Sequence, residues 1–286
     1  MSVLTRVHRV WVARGLLLTL LSVRALADNW APHLAVAAAW DDNATNADRA
    51  SDHIGTLQTR ADLAASQRYS LSPSDSFHLG LRAAAEAWPR FENLATASAG
   101  VRAEWRHKFG LGALAPVLSL ELGADTVFAD ERGRRGTASA ASVTLRKRFD
   151  DSWRASLTHE ISDHAARASV HDRTGAQTTL ELGYDFSEHT GFTLAILRRD
   201  GDVVSYATPP RPDLVALARI REPNASFNRP FTIYSIDART LGAKAGFIRT
   251  LSPTSAAVLA FEWRETERAS LRYINRIASL AFLHQF

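Results

Sequence analysis

Apolar and polar residues alternate along this chain with a period of two, and no other feature constrains its fold as strongly. One face of the segment 257–264 carries Ala257, Leu259, Phe261 and Trp263, and the other carries Val258, Ala260, Glu262 and Arg264. The same alternation recurs in the segments 97–109 and 178–186. Successive side chains of a β-strand point to opposite faces of a sheet, so this period predicts strands with one apolar face.

Twelve such segments are present, with approximate bounds 33–41, 54–71, 76–88, 95–109, 116–128, 138–149, 152–162, 176–186, 191–202, 233–250, 255–267 and 271–286. Many of them run for 11 residues or more, whereas strands of soluble proteins average about five or six. The tenth segment is the least regular, because its apolar phase slips between Arg239 and Leu241, as a bulge would cause.

The connections between these segments alternate in length. Those after even-numbered segments are tight, and most of those after odd-numbered segments are longer, up to about 30 residues at 203–232. Short turns at one end, longer loops at the other and an even number of long strands are typical of outer-membrane barrels. A soluble β-sandwich also alternates, but it lacks this asymmetry between its ends. We therefore expect an all-β fold, a single antiparallel transmembrane β-barrel of about twelve strands over residues 28–286, with both termini in the periplasm.

Residues 1–27 have the pattern of a cleaved secretory signal peptide. A basic stretch and the short apolar run 15–23 precede a small-x-small cleavage pattern at 25–27. Removal of the segment takes four arginines from the 34 basic residues and leaves 30, equal to the 30 acidic residues, so charge gives no indication of a nucleic-acid partner. The chain has no cysteine, which excludes a small disulfide-stapled domain. We expect export to the bacterial outer membrane, where lipid surrounds the barrel.

The last strand carries Leu280, Phe282 and Phe286 on its apolar face, with His284 between the two aromatic residues. We expect this strand to pair with the first one, 34–40, because closure removes the strand edges that lipid cannot satisfy. A terminal Phe after apolar residues at alternating positions resembles the assembly signal of bacterial outer-membrane β-barrel proteins. The resemblance implies that the barrel-insertion machinery reads Phe282 and Phe286 during assembly.

The two ends of the chain carry a second resemblance. The stretches AWDDNATNA (39–47) and FEWRETERASLRYINRIASLAFLHQF (261–286) are similar to the first and last hairpins of the barrels of surface lipoprotein assembly modifiers. Those proteins carry a periplasmic helical-repeat domain before the barrel, and residues 1–286 contain no such domain.

The strand faces opposite the apolar ones carry both signs of charge. The candidate pore-lining residues are Arg82, Glu86, Arg102, Glu104, Arg106, Lys108, Glu121, Asp125, Arg146, Arg148, Glu181, Asp185, Glu262 and Arg264. The same assignment turns inward Arg60, Asp62, Arg68, Arg154, Glu160, Arg199, Asp237 and Arg239. These charges could line a polar pore, or they could pair and close a narrow lumen. Twelve strands lie between filled eight-stranded barrels and open 16-stranded porins, so strand number leaves both interpretations open.

Patterns for catalysis or metal binding are weak. None of the ten histidines has a serine two positions later, the pairing that outer-membrane lipid hydrolases carry on one strand. Oxygen-rich residues 41–48 and a set of ligand types in the fourth long loop (Asp163, His164, His171 and Asp172) match no defined metal site, so we expect hydrated loops. We predict no cofactor. Prolines bracket helix-forming residues at 211–223, which predicts a short helix.

The sequence favours a small porin for passive passage of small polar solutes. One alternative is a barrel with a plugged lumen that contributes loops to a surface or secretion assembly. An outer-membrane lipid hydrolase is the third.

Overall fold

The computed structural model describes residues 30–286, so the predicted signal peptide lies outside the described residues. The strands are β1 (Ala31–Asp41), β2 (Thr56–Ser70), β3 (Asp75–Ala87), β4 (Thr96–Lys108), β5 (Val117–Ala129), β6 (Gly136–Arg148), β7 (Trp153–Ala166), β8 (Arg173–Ser187), β9 (Thr190–Ala207), β10 (Ile220–Asn224), β11 (Phe231–Ser252), β12 (Ser255–Arg268) and β13 (Leu271–Gln285). The connections contain one α-helix, α1 (Pro212–Leu217), and short 3-10 helices at Ala50–Asp52, Glu92–Leu94, Arg132–Arg134 and Ser169–His171. Among residues 30–286, no helix is long and apolar enough to cross a membrane.

All strands except β10 form one closed antiparallel barrel. Consecutive strands pair with each other, β9 pairs with β11, and β13 pairs with β1, where Phe282 lies opposite Val36. The twelve predicted strands and the pairing of the last with the first are therefore confirmed. Closure satisfies the backbone groups of both outermost strands, as a lipid environment requires.

The longest connection contains the one strand that the sequence did not predict. β10 pairs with the first five residues of β11, beyond the point where β12 ends. Helix α1 precedes β10, which confirms the short helix predicted there.

The two ends of the barrel differ as expected. We call one the loop end and number its loops 1 to 6: 42–55, 88–95, 130–135, 167–172, 208–230 and 269–270. The other, the turn end, has the connections 71–74, 109–116, 149–152, 188–189 and 253–254, of which all but 109–116 have four residues or fewer. The described chain starts and finishes at the turn end.

Apolar side chains cover the outside of the barrel. Exposed residues that share this outward face across paired strands include Val36, Leu81, Val101, Leu122, Val143, Leu157, Leu180, Ile196, Phe247, Leu259 and Leu280. Near the turn end this belt passes into aromatic residues. Phe282 stacks on His284, which contacts Phe286 edge-on. An apolar band flanked by aromatic residues is the exterior that a lipid bilayer requires.

The structure corrects the predicted faces of β11. Its pairing with β9 runs through Arg239 without a register shift, so the phase slip in the sequence is not a bulge. Asp237 and Arg239 lie on the outward face with Phe247 and not on the inward face as predicted. The alternation changes phase because inward Ile236 is buried at the loop end. At that height the outward face lies beyond the apolar belt and carries charged residues.

Candidate functional site: the charged lumen

All of the predicted pore-lining residues lie inside the barrel, on the face opposite the apolar belt. Nearer the loop end, where they line a cavity, are Arg82, Glu86, Arg102, Glu121, Asp125 and Arg264. Farther toward the turn end on the same inward faces are Glu104, Arg106, Lys108, Arg146, Arg148, Glu181, Asp185 and Glu262. That these residues line a conducting pore stays a prediction.

Ion pairs run around the wall of the lumen. Arg82 reaches Asp62 on the neighbouring strand, with 2.5 Å between Nε and Oδ1. Arg106 donates two hydrogen bonds of 2.7 Å to Glu104, two positions earlier on β4. Between inward strand residues of the described chain, every ion pair joins one strand to itself or to a strand no more than two away. These pairs therefore do not bridge the barrel from one side to the other.

Three glycines make room for lumenal arginines. A Cβ on Gly123 would lie 2.6 Å from Cδ of Arg102, and one on Gly183 would lie 2.6 Å from Nε of Arg154. A Cβ on Gly175 would lie 3.1 Å from Nε of Arg199. Each of these arginines therefore lies along the wall, over backbone that only glycine leaves free.

The loop half of the lumen contains a cavity of about 840 Å³. The buried apolar clusters of the described chain lie at this end, above the cavity. In the turn half, Arg106 and Arg148 keep 43% and 41% of their side-chain surface exposed. Water therefore reaches the inward charges below the cavity.

Loop 5 crosses the mouth of the barrel at the loop end. It begins and ends on β9 and β11 but reaches loop 2 on the opposite side, where Phe227 packs edge-on against Phe91 with ring centroids 5.0 Å apart. The same buried cluster includes Ile54 from loop 1 and Val170 from loop 4. We call the packed loops 1 to 5 the cap. The cap covers the lumen on this side.

Arg211, at the start of α1, holds loop 5 to loop 1. Its fully buried guanidinium donates to both carboxylate oxygens of Asp48, at 2.7 Å each. It also donates to Asp213 at 2.7 Å, and this hydrogen bond lowers the pKa of Asp213 to about 2. Nearby, Thr208 donates to Asp52 from its amide and its hydroxyl group.

Glu131 of loop 3 joins a second set of loops. It accepts hydrogen bonds of 2.8 Å from Asn224 and from the hydroxyl of Ser226, and one of its oxygens lies 3.4 Å from Nε2 of His171. Burial raises the pKa of Glu131, but the hydrogen bonds from His171 and Ser226 outweigh it, so the pKa lies below its ordinary value.

The structure corrects the expectation of hydrated loops. In loop 1, Asn43 and Thr45 are fully buried, and Asn43 donates to the carbonyl oxygen of Ala47 at 2.9 Å. In loop 4, His171 is buried against Glu131. These polar residues pack within the cap because loop 5 covers them. In the part of the chain that the structure describes, no group of three or more candidate metal ligands occurs.

Sequence reasoning missed two inward cations. Lys244 lies on the inward face of β11. The even-numbered residues of this strand, such as Gly246, face inward, so the period of two would have identified Lys244 had the face been assigned correctly. Arg173 is the first residue of β8, just before the predicted start of that strand, and it shares the inward face with Glu181. Arg134 also reaches the cavity, but it lies in loop 3, where no periodicity marks it.

The fold resembles solved structures. No known family profile matches the chain, and no curated protein matches it. An outer-membrane channel from Pseudomonas putida F1 superposes with a TM-score of 0.61 at 8% identity, covering 90% of this chain and 95% of that one. A KdgM porin in complex with disordered oligogalacturonate superposes with a TM-score of 0.51 at 7% identity, covering 89% of this chain and 99% of that one.

The chain therefore has the closed antiparallel fold of outer-membrane β-barrels, which confirms the predicted fold class. At these identities the likeness concerns the fold alone. The assembly signal at Phe286 and the resemblance to assembly-modifier barrels stay predictions.

Proposed function

We propose that this protein is an outer-membrane channel for the passive passage of small polar solutes, with its turn end in the periplasm and its loop end outside. The observation that carries the proposal is the arrangement of the lumenal charges. Arginines such as Arg102 and Arg154 lie flat over glycines, and ion pairs run around the wall. A lumen built to be filled would instead pack its side chains across the axis.

The exterior supports the membrane location. Most outward residues between the cap and the turns are apolar, and the aromatic series Phe282, His284 and Phe286 lies at the turn end. In water this belt would be a large exposed apolar surface, which soluble monomers rarely carry. We propose passive passage and no catalytic step.

The cap adds a constriction to this channel. Loop 5 crosses the mouth, so a solute has to pass between packed loops before it reaches the charged lumen. The cap is held by a few polar anchors, chiefly Arg211 and Glu131. Loss of one anchor should therefore widen or open the mouth without loss of the barrel.

Liposome swelling tests the proposal. Purified folded protein is placed in liposomes, and entry of uncharged sugars of increasing size is followed by light scattering. We expect the smallest sugars to enter, at rates that fall steeply with solute size, and Arg211→Gln to raise the rates. Liposomes with heat-unfolded protein are the control. No swelling with either the parent or Arg211→Gln, although both are folded, would contradict the channel.

One observation favours the second candidate, a barrel that is closed and presents its loops to an assembly. The aromatic cluster where the cap meets β11 is well packed, with Phe91, Phe227 and Phe231 each only 2–3% exposed. On this account the cap is permanent and the loops form a fixed outer surface. Substitution of the cap anchors, such as Arg211→Gln, would then leave the barrel impermeable to solutes.

A further inference from the structure

Two arginines of the lumenal cavity have no acidic partner among residues 30–286. Arg173 of β8 and Arg199 of β9 both line the cavity. Within residues 30–286 neither forms an ion pair with a carboxylate, whereas Arg82 and Arg102 in the same lumen do. These two guanidiniums differ from the paired charges of the wall.

The two unpaired arginines lie side by side. Arg199 packs over Gly175, which is two residues from Arg173 on the same inward face of β8. His164 of β7 is paired directly with Arg173 in the sheet and also lines the cavity. The site therefore joins three neighbouring strands.

A third cation adds to the same place. Arg134 of loop 3 donates to the carbonyl oxygen of Leu94 at 3.0 Å and faces the cavity from the cap. Among the described residues, Arg134 and Arg199 are the charges that repel Arg173 most strongly. Like charges gathered without a counter-charge are unfavourable unless something else neutralises them.

Several acids of the cavity are engaged elsewhere. Asp125 pairs with Arg102 at 2.5 Å, and Asp202 accepts a hydrogen bond from Thr174 and forms an ion pair with Arg219 at 3.3 Å. Glu86 accepts a hydrogen bond of 2.8 Å from the indole of Trp88, and it attracts Arg173 only from farther away. Glu160 and Asp163 also line the cavity, but within residues 30–286 neither forms an ion pair with Arg173 or Arg199. In that range Arg199 donates only a long hydrogen bond of 3.5 Å to the carbonyl oxygen of Asp202, so both guanidinium groups can bind a negatively charged ligand.

We propose that Arg173 and Arg199, with Arg134 and His164 beside them, form a binding site for an anionic solute that carries two or more carboxylate or phosphate groups. The planar fork of a guanidinium matches both groups with paired hydrogen bonds. The cavity of about 840 Å³ is far larger than one such group, so a solute with several anionic groups fits it. This site deepens the proposed channel function and rests on it, because the channel is the route by which the solute would reach the site.

Calorimetry on the folded barrel in detergent micelles tests the site without any need for conduction. Citrate and pyrophosphate serve as the carboxylate and phosphate probes, and acetate is the singly charged control. We expect the two polyanions to bind and acetate to bind at least tenfold more weakly. Arg173→Gln and Arg199→Gln should each weaken polyanion binding about 10- to 100-fold, because each loses a charge-assisted hydrogen-bonding group.

Arg68→Gln is the matched control, since Arg68 points inward near the turn end, away from the cavity. It should bind like the parent. Arg173→Lys keeps the charge but not the fork, so its affinity should lie between those of the parent and Arg173→Gln. The heat-dependent gel shift of folded barrels confirms the fold of each variant.

The outcomes separate the site from the channel. Absent polyanion binding in the parent, or equal affinity in the parent, Arg173→Gln and Arg199→Gln, would overturn the site even if the barrel conducts. Loss of binding in Arg68→Gln to the same extent would also overturn it. Polyanion binding would then depend on the total positive charge of the lumen and not on this site. Binding with the expected variant pattern in a barrel that passes no solute would support the site and contradict the channel.

Discussion

Arg154 lies against the backbone of Gly183, its directly paired residue on the neighbouring strand, so closely that a Cβ on Gly183 would be 2.6 Å from its Nε. From this position its guanidinium still reaches Asp185, two residues farther along β8. Arg102 lies over Gly123 in the same way and reaches Asp125. In both places a glycine lets a long cation stay paired and close to the wall.

Gly183→Ala should therefore reduce single-channel current in planar bilayers. The new methyl group would displace Arg154 toward the axis of the barrel, and the displaced side chain would narrow the lumen. Gly80→Ala is the matched control, because its Cβ would meet its nearest atom at 3.4 Å, an ordinary contact. Equal currents for parent, Gly183→Ala and Gly80→Ala would show that the position of Arg154 does not limit the lumen.

The outward face predicts a large difference between adjacent positions of β12. Phe261 is 51% exposed on the apolar belt, so Phe261→Arg should lower the free energy of unfolding in lipid by about 2–4 kcal/mol if it lies near the midplane. Glu262 faces inward and accepts a hydrogen bond of 2.6 Å from Arg264, whose side chain is 44% exposed. Glu262→Gln should cost less than about 1 kcal/mol. Denaturant unfolding of both variants measures this, and equal losses would contradict the assigned faces.

Loss of the Arg211 anchor should loosen the cap and leave the barrel intact. Arg211→Gln leaves Asp48 and Asp213 without their cation, which costs about 3 kcal/mol, at the low end for a buried pair because Asp213 is partly exposed. Amide hydrogen exchange in 208–230 should then be about 100-fold faster. Arg229→Gln is the control, since within residues 30–286 Arg229 has no carboxylate partner: it makes one long, exposed hydrogen bond of 3.4 Å to Ser51 and lies over the ring of Phe231. The same exchange in both variants would contradict the anchoring role.

The cap should also be stable in acid down to about pH 4. The Arg211 hydrogen bond holds the pKa of Asp213 at about 2, below its ordinary 3.8, and the pKa of Glu131 lies below its ordinary 4.5. Carboxyl groups whose pKa falls on folding stabilise the folded state above the ordinary pKa, and this contribution is lost as the pH falls toward the lowered value. Exchange protection of 208–230, corrected for intrinsic rates, should be constant from pH 7 to pH 5 and decrease below about 4.

A decrease of protection already between pH 7 and pH 6 would contradict this assignment.

The strands could be predicted because lipid imposes one rule on all of them. Most outward residues within the belt are apolar, with exceptions such as His159 and Thr178, so the period of two marks both the strand and its faces, as at Phe261 and Glu262. The rule fails on β11 at Asp237 and Arg239, because there the outward face has left the belt while inward Ile236 is buried by the cap. Apolar and polar residues still alternate there, but the apolar residue faces inward and the charged residues face outward.

The cap could not be predicted, for a physical reason. Arg211 and Asp48 are 163 positions apart, and their pairing follows from loop 5 crossing the mouth, which no periodicity records. The unpaired state of Arg173 and Arg199 also depends on which carboxylates the three-dimensional structure engages elsewhere. Residue types and faces were therefore readable from the sequence, whereas partners were not.

Single-channel current of the parent and of Arg106→Ala, measured beside their unfolding midpoints, tests the central claim most directly. Arg106 binds Glu104 with two hydrogen bonds of 2.7 Å but stays 43% exposed in the lumen. If the lumen conducts, the parent gives discrete current steps. Arg106→Ala then shifts selectivity toward cations, because Glu104 loses its partner, while the unfolding midpoint hardly changes. A silent parent, together with an Arg106→Ala variant that is destabilised or conducts for the first time, would contradict the channel and establish a closed lumen.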